Sequence, residues 1–211
     1  MSIAFARRTG RELNWYYAVD RHGGNELRDE GLVNHLRKLN LSVTNYRLGK
    51  LPLVISMPVM VASNFDVEGG VVNGCAATLE SVRYWTDQRG DRHANLCVVR
   101  SESISGENML NLGAHEAVVI ADDKPIKFVH PASQKKCSIK RTQLPITPAF
   151  AMTAHKAQGL TMPKALIDLE SCRGSEAPYV MVSRVKSLDG LLIMRPFDKK
   201  RSCCRMSEDV R

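Results

Sequence analysis

At 211 residues, 44% hydrophobic and 25% charged, the chain is long enough to bury a core without staples, as one or two domains. It has no run of about eighteen apolar residues to cross a membrane, and its opening, MSIAFARRTGREL, turns charged too soon for a secretory signal. With 30 Lys and Arg against 22 Asp and Glu the net charge is +8, which suits a polyanion such as nucleic acid, although solubility alone also accounts for it.

Residues 3–17 read as a helix with Phe5, Leu13, Tyr16 and Tyr17 on its apolar face. A polar break at Gly23–Gly24 precedes a second amphipathic helix over 26–39. Its expected N-cap is Asn25 and its stripe is Leu32, Val33, Leu36 and Leu39, with Gly31 a weak point. Residues 51–62, LPLVISMPVMVA, read as a buried strand interrupted by Pro58, and Asn73–Gly74 as a turn. From about 76 to 145 the texture changes to short β-like runs (TLESVRYW, ANLCVVR, EAVVIA, IKFVH, KKCSIK) separated by polar turns. That predicts a small, separate all-β unit, barrel or sandwich. After Pro145 an α/β texture returns, with strands at 149–153, 165–169 and 190–194 expected side by side in one sheet. A helix is expected over 176–187, and a charged tail over 198–211 as a frayed helix.

Six cysteines (Cys75, Cys97, Cys137, Cys172, Cys203 and Cys204) make no Cys-x-x-Cys pair, and the histidines are scattered. No metal site and no disulfide framework is expected, and the compartment is expected to be reducing.

Two blocks carry chemistry. Thr153-Ala154-His155-Lys156-Ala157-Gln158-Gly159-Leu160-Thr161 ends an apolar run in small, polar and basic residues and a glycine. Such a turn can aim backbone N–H groups, a hydroxyl and a cation at phosphates; an ordinary polar loop would hold the same residues. Tyr179 to Gly190 (YVMVSRVKSLDG) places Arg184 in an apolar helix beside Ser183. An Arg there needs an anionic partner, because an unpaired buried charge is costly: either a ligand or a structural carboxylate such as Asp168 or Glu170.

Together, His155-Lys156-x-Gln158-Gly159 and Tyr179-Val180-x-x-Ser183-Arg184-x-x-Ser187-x-x-Gly190 resemble the last two motifs of superfamily-1 DNA helicases. The similarity is to the Pif-type branch, related to RecD. The stretch Leu53 to Val82, with Pro58-Val59-Met60, Asn64 and Asn73-Gly74, is similar to a third block of that family, and FARRTGRELNWYYAVD to a segment of fungal members. The likeness covers nearly the whole chain, strongest over 51–82 and 145–195 and weak over 85–140.

The resemblance implies an α/β fold: a partial RecA-like (P-loop NTPase-type) sheet domain interrupted by a small all-β SH3-like insertion. Its expected boundaries are 1–75 and 146–197 for the RecA-like parts, 76–145 for the insertion and 198–211 for the tail. It also implies roles. Arg184 would be an arginine finger on the γ-phosphate of ATP, positioned by Tyr179 and Ser183. Gln158 and Gly159 would lie at the ATP cleft. Thr153, His155, Lys156 and Asn64 would meet single-stranded DNA, along which this branch moves 5′ to 3′. Ala157, Ser56, Cys75 and Lys186 depart from the family's usual Ser, Gly, Thr and Arg.

The sequence holds no Gly-x-x-x-x-Gly-Lys-Ser/Thr, and Val118-Val119-Ile120-Ala121-Asp122-Asp123 reads as a turn-ended strand, not a Walker B strand. ATP and Mg2+ are therefore implied but not bindable in full. The chain is expected to be a C-terminal helicase fragment that needs the first RecA-like domain in cis or trans. The alternatives are a non-catalytic nucleic-acid-binding module, a decayed mobile-element helicase, or a protein-interaction unit on the β insertion. An intracellular site is expected, nuclear rather than mitochondrial. Single-strand binding is expected to be weak and insensitive to sequence, with Trp85, Tyr84 and Phe65 mostly in the core.

Overall fold

The computed structural model describes residues 1–105, 112–172 and 176–198. They fall into two units, Met1–Phe150 and Ala151–Arg211. The first begins with helix α1 (Ser2–Thr9) and strands β1 (Asn14–Tyr17), β2 (Val19–His22) and β3 (Asn25–Glu26). The single helix expected over 3–17 is thus a helix and a strand. Gly10 takes the left-handed conformation at φ 65° and closes α1, and the aromatic run that follows is better accommodated on a sheet.

Gly23 and Gly24, both left-handed, turn β2 into β3, so Asn25 is a strand residue and not the expected helix cap. The cap of α2 (Glu30–Arg37) is Asp29, whose side chain accepts from Leu32 N at 2.9 Å. Leu36 is buried from this helix against Ile126, Phe128 and Ile139.

Strands β4 (Lys50–Leu53), β5 (Pro58–Val61), β6 (Ala76–Thr86), β7 (Arg92–Arg100), β8 (Glu116–Ile120), β9 (Asp122–Val129), β10 (Lys136–Gln143) and β11 (Ile146–Pro148) complete the unit. Pro58 opens β5, a position where the missing N–H costs no ladder bond. A seven-stranded sheet runs β11-β5-β6-β7-β1-β4 with β8 on β7; a four-stranded sheet runs β3-β2-β10-β9. Alternate residues of the larger sheet, among them Leu51, Leu53, Val59, Val61, Leu79, Val99 and Ile146, form the main core.

The β-like runs of 76–145 are strands as expected, but they do not form a separate sheet. Val59 pairs with Ala77, Tyr16 with Arg92 and Asp20 with Arg141, so edge strands of this stretch are completed by strands from before residue 62. Buried ion pairs reinforce the join. Arg141 is bidentate to Asp20 at 2.7 Å on both arms, and Arg47 clamps Asp122.

The second unit holds helix α3 (Ala154–Ala157), strand β12 (Ala165–Ile167), helix α4 (Glu176–Val182), a 3-10 turn (Leu188–Gly190) and strand β13 (Leu191–Ile193). β12 and β13 pair in parallel, Ala165 with Leu191 through Ile167 with Ile193. They pack with α4 around Ile167, Leu169 and Cys172. Two of the three expected neighbour strands are therefore neighbours. The third, 149–153, is not a strand: the extended residues are Ile146–Pro148, which pair with β5 in the first unit. The expected helix over 176–187 stops at Val182, because Arg184 to Lys186 turn to pair with Met162. Residues 199–211 of the expected tail helix lie outside the described residues.

Candidate functional site

Thr153 opens α3 in extended backbone, and its hydroxyl accepts from Lys156 N at 3.4 Å. One helical turn follows. It buries Ala157 and leaves His155, Gln158 and Gly159 exposed and Lys156 half-buried. Partial burial lowers the Lys156 ammonium from its usual value. Gly159 ends the turn at φ 82°, a backbone that favours glycine. Ala157, where the family commonly has Ser, points its methyl inward, so a hydroxyl there would need a buried partner.

Arg184 follows α4 and is half-buried. Its Nε donates to Val180 O at 2.9 Å, Nη1 to Leu160 O at 3.3 Å and Nη2 to Ser183 Oγ at 2.8 Å. All three acceptors are neutral. Among the described residues Arg184 makes no ion pair, and of the two carboxylates expected for a structural bridge, Asp168 and Glu170, Asp168 is held bidentately by Arg195 at 2.8 and 2.9 Å. The Arg195 guanidinium keeps the Asp168 carboxyl below the usual carboxylate range. A guanidinium has five N–H groups, so two of those on Arg184 are left over for an anion.

The two sequence blocks are one structure. Met162 N donates to Arg184 O at 2.7 Å and Lys186 N to Met162 O at 3.0 Å. Gly190 sits so close to the same segment that a Cβ there would lie 2.1 Å from Pro163 O. Thr153, His155, Lys156, Gln158, Gly159 and Arg184 thus belong to one unit. Ser183 orients Arg184, since its hydroxyl accepts from Nη2 and donates to Val180 O at 3.2 Å. Tyr179 does not: its ring is 75% exposed, and only its carbonyl takes part, accepting from Ser183 N at 2.9 Å.

Asn64 lies in the first unit, exposed in the loop after β5, where its Oδ1 accepts from Asn73 N at 2.8 Å and ties the loop shut. Among the described residues no cluster of three or more His, Cys, Asp and Glu could hold a metal ion. No helix among them is long and apolar enough to cross a membrane.

The aromatic residues depart from expectation. Trp85, Tyr84 and Phe65 are 42%, 44% and 38% exposed, not core. Cations sit on other rings of the same unit, Lys50 4.2 Å from the Trp15 ring and Arg37 4.2 Å from that of Tyr17. The signal lay in the alternation of Trp15, Tyr16 and Tyr17, which a helical reading of 3–17 conceals.

No family model matches the chain. Over 142 residues, 67% of its length, the chain is 32% identical to the ATP-dependent DNA helicase PIF1 of Xenopus laevis, and the match spans 19% of that relative. Among solved structures it is similar to the Pif1 helicase from Candida albicans, with a TM-score of 0.57 at 18% identity over 99% of this chain and 44% of that one. It is also similar to the Bacteroides Pif1 helicase in complex with ADP-AlF3 and ssDNA, with a TM-score of 0.56 at 20% identity over 94% of this chain and 38% of that one.

Proposed function

The chain is homologous to Pif1-type ATP-dependent DNA helicases over about two thirds of its length, and from that premise we propose that it supplies the second RecA-like half of a 5′-to-3′ DNA helicase motor. Residues of the three blocks that resemble the superfamily's motifs carry the work. Arg184 is the arginine finger, Gln158 and Gly159 line the ATP cleft, and Thr153, His155, Lys156 and Asn64 contact the backbone of single-stranded DNA. The β-rich stretch 76–145 is the SH3-like element, and the protein acts inside the cell, in the nucleus.

The observation that carries this reading is the state of Arg184. Its guanidinium is fixed by three neutral acceptors, keeps two N–H groups for an anion, and is tied to the Thr153–Gly159 block through Leu160. A phosphoryl group in transfer is the anion such an arginine stabilises, a contribution of roughly 10³–10⁵ in rate. These residues fit one edge of a nucleotide. The sequence has no Gly-x-x-x-x-Gly-Lys-Ser/Thr, so the β- and γ-phosphates and their Mg2+ fall to a phosphate-binding loop outside the 211 residues.

The test is ATP turnover in the presence of single-stranded DNA, by the chain alone and joined to the phosphate-binding-loop half of a Pif1 helicase. No turnover alone and DNA-stimulated turnover when joined support the division of labour. Turnover by the chain alone that vanishes in Arg184→Ala contradicts it. A second reading, a nucleic-acid-binding module or mobile-element remnant that hydrolyses nothing, is favoured by the absent loop motif. It is supported if the joined protein binds DNA and stays inactive.

A further inference from the structure

Among the described residues the two most exposed large apolar side chains both flank Arg184: Leu188 is 80% exposed and Tyr179 75%. Neither holds the guanidinium, and the motor as described uses neither. Exposed apolar residues scattered singly are ordinary on a protein surface. Two of them on either side of an arginine with N–H groups left over resemble instead the rim of a contact that shuts water away from a charged centre.

Their placement follows from the backbone. Tyr179 and Ser183 stand one turn apart on α4, with Ser183 N donating to Tyr179 O at 2.9 Å, so they share a face of the helix. Ser183 Oγ accepts from Arg184 Nη2 at 2.8 Å, which brings the guanidinium to that face. Beyond α4 the chain runs beside residues 162–165, bridged at Met162 and Val185 and paired again at Ala165 and Leu191. Between those two points one segment advances three residues and the other six, so the extra three, Leu188–Gly190, are thrown outward as the 3-10 turn. Gly190 closes the turn against Pro163 O, where a Cβ would stand 2.1 Å away. Leu188 is thus presented on a bulge fixed at both ends by backbone pairing.

The stretch from Tyr179 to Leu188 has apolar side chains at its ends and cations within. Lys186 is exposed and, like Arg184, makes no ion pair among the described residues. No acid lies in the stretch; Glu176 precedes it and Asp189 follows it, both exposed. Such a surface suits a protein face that brings an anion with it. The phosphates meet the cations, and apolar contacts around them exclude water, which strengthens their attraction. A phosphate backbone alone suits it less, because Leu188 and the Tyr179 ring would stay in water.

We propose, resting on the reading of Arg184 as a finger, that Tyr179 and Leu188 are the apolar contacts on which the protein segment carrying the phosphate-binding loop closes over the nucleotide. Tyr179 acts through its ring and Leu188 through its bulk. Neither touches the transferring phosphoryl group, so both are contact residues and not catalytic ones.

The test reads oxidation of the Tyr179 and Leu188 side chains by hydroxyl-radical footprinting and mass spectrometry, in the full chain and in the protein joined to the phosphate-binding-loop half of a Pif1 helicase. In the full chain both are expected to be oxidised freely at every protein concentration. In the joined protein with ADP and aluminium fluoride, oxidation of both is expected to fall several-fold. Tyr179→Ala and Leu188→Ala are each expected to lower kcat/KM for ATP of the joined protein about ten-fold, the worth of one large apolar side chain buried at a contact. Tyr179→Phe, which keeps the ring, is expected to restore what Tyr179→Ala loses. The full chain carrying either alanine is expected to keep its thermal midpoint, since both positions are exposed. Undiminished oxidation in the joined protein with nucleotide overturns the proposal, and so does an unchanged kcat/KM in both alanine variants. Protection that appears in the full chain on raising its concentration overturns it by assigning the patch to a second copy; protection by single-stranded DNA alone does so by assigning it to a base. Loss of kcat in Arg184→Ala with both side chains still oxidised keeps the finger and removes the contacts. Protection of both with kcat indifferent to Arg184→Ala keeps the contacts and removes the finger.

Discussion

Arg184 Nη1 donates to the carbonyl of Leu160, 3.3 Å away, so the guanidinium is oriented by the segment that ends the Thr153–Gly159 block and not by a carboxylate. This contact joins two stretches 24 residues apart in sequence and makes the position of the arginine depend on the conformation of the turn. A shift of the turn that follows α3 would move the acceptor that holds Arg184.

Ser183 is the other support. Replacing it with Ala removes the acceptor for Arg184 Nη2 and the donor to Val180 O. One such hydrogen bond contributes about 1 kcal/mol, so turnover of the joined protein should fall about five-fold through loss of orientation. DNA affinity should stay unchanged. Steady-state kinetics beside anisotropy check both.

Gly190→Ala tests how tightly the two blocks are packed. A Cβ would stand 2.1 Å from Pro163 O, a backbone atom, so the segment must shift. Overpacking of this kind costs about 1–3 kcal/mol. Urea unfolding should show that loss, and limited proteolysis should cut the second unit sooner.

Arg141 and Asp20 are a buried bidentate pair. Asp20→Ala leaves an uncompensated guanidinium and should destabilise the first unit by about 3–5 kcal/mol. The double replacement Asp20→Leu with Arg141→Met should recover most of it. Chemical denaturation of both variants measures the difference.

Lys156 should contribute one phosphate contact. Lys156→Ala is expected to lower affinity alike for all strands and to flatten the slope of log affinity against log salt by about 0.7. Burial lowers the ammonium from its usual value, and the charged form is the one that binds. The contribution is therefore present at neutral pH and is lost as pH rises through that lowered value, before an exposed lysine would lose it. Titrations across alkaline pH check the order.

Much of this was legible in the residues. Period-two runs such as ANLCVVR and KKCSIK are strands because alternate side chains reach a core, and the motif blocks announced the Arg184 turn. What was hidden depended on partners distant in sequence. Residues 14–17 look helical until Lys50–Leu53 pairs with them. The β-rich stretch looks self-contained until Asp20 meets Arg141. That Arg195 holds Asp168, one of the two carboxylates expected beside Arg184, is likewise something spacing alone does not reveal.

The central claim is that Arg184 completes an ATP site built by another segment. Its direct measurement is the kcat and KM for ATP of the joined protein, with single-stranded DNA saturating, for the parent, Arg184→Lys and Arg184→Ala. The account predicts a fall in kcat of roughly 10³-fold or more for Arg184→Ala, partial activity at most for Arg184→Lys, and little change in DNA affinity. A joined protein whose kcat is unaffected by Arg184→Ala, or falls only because the second unit unfolds, would contradict it.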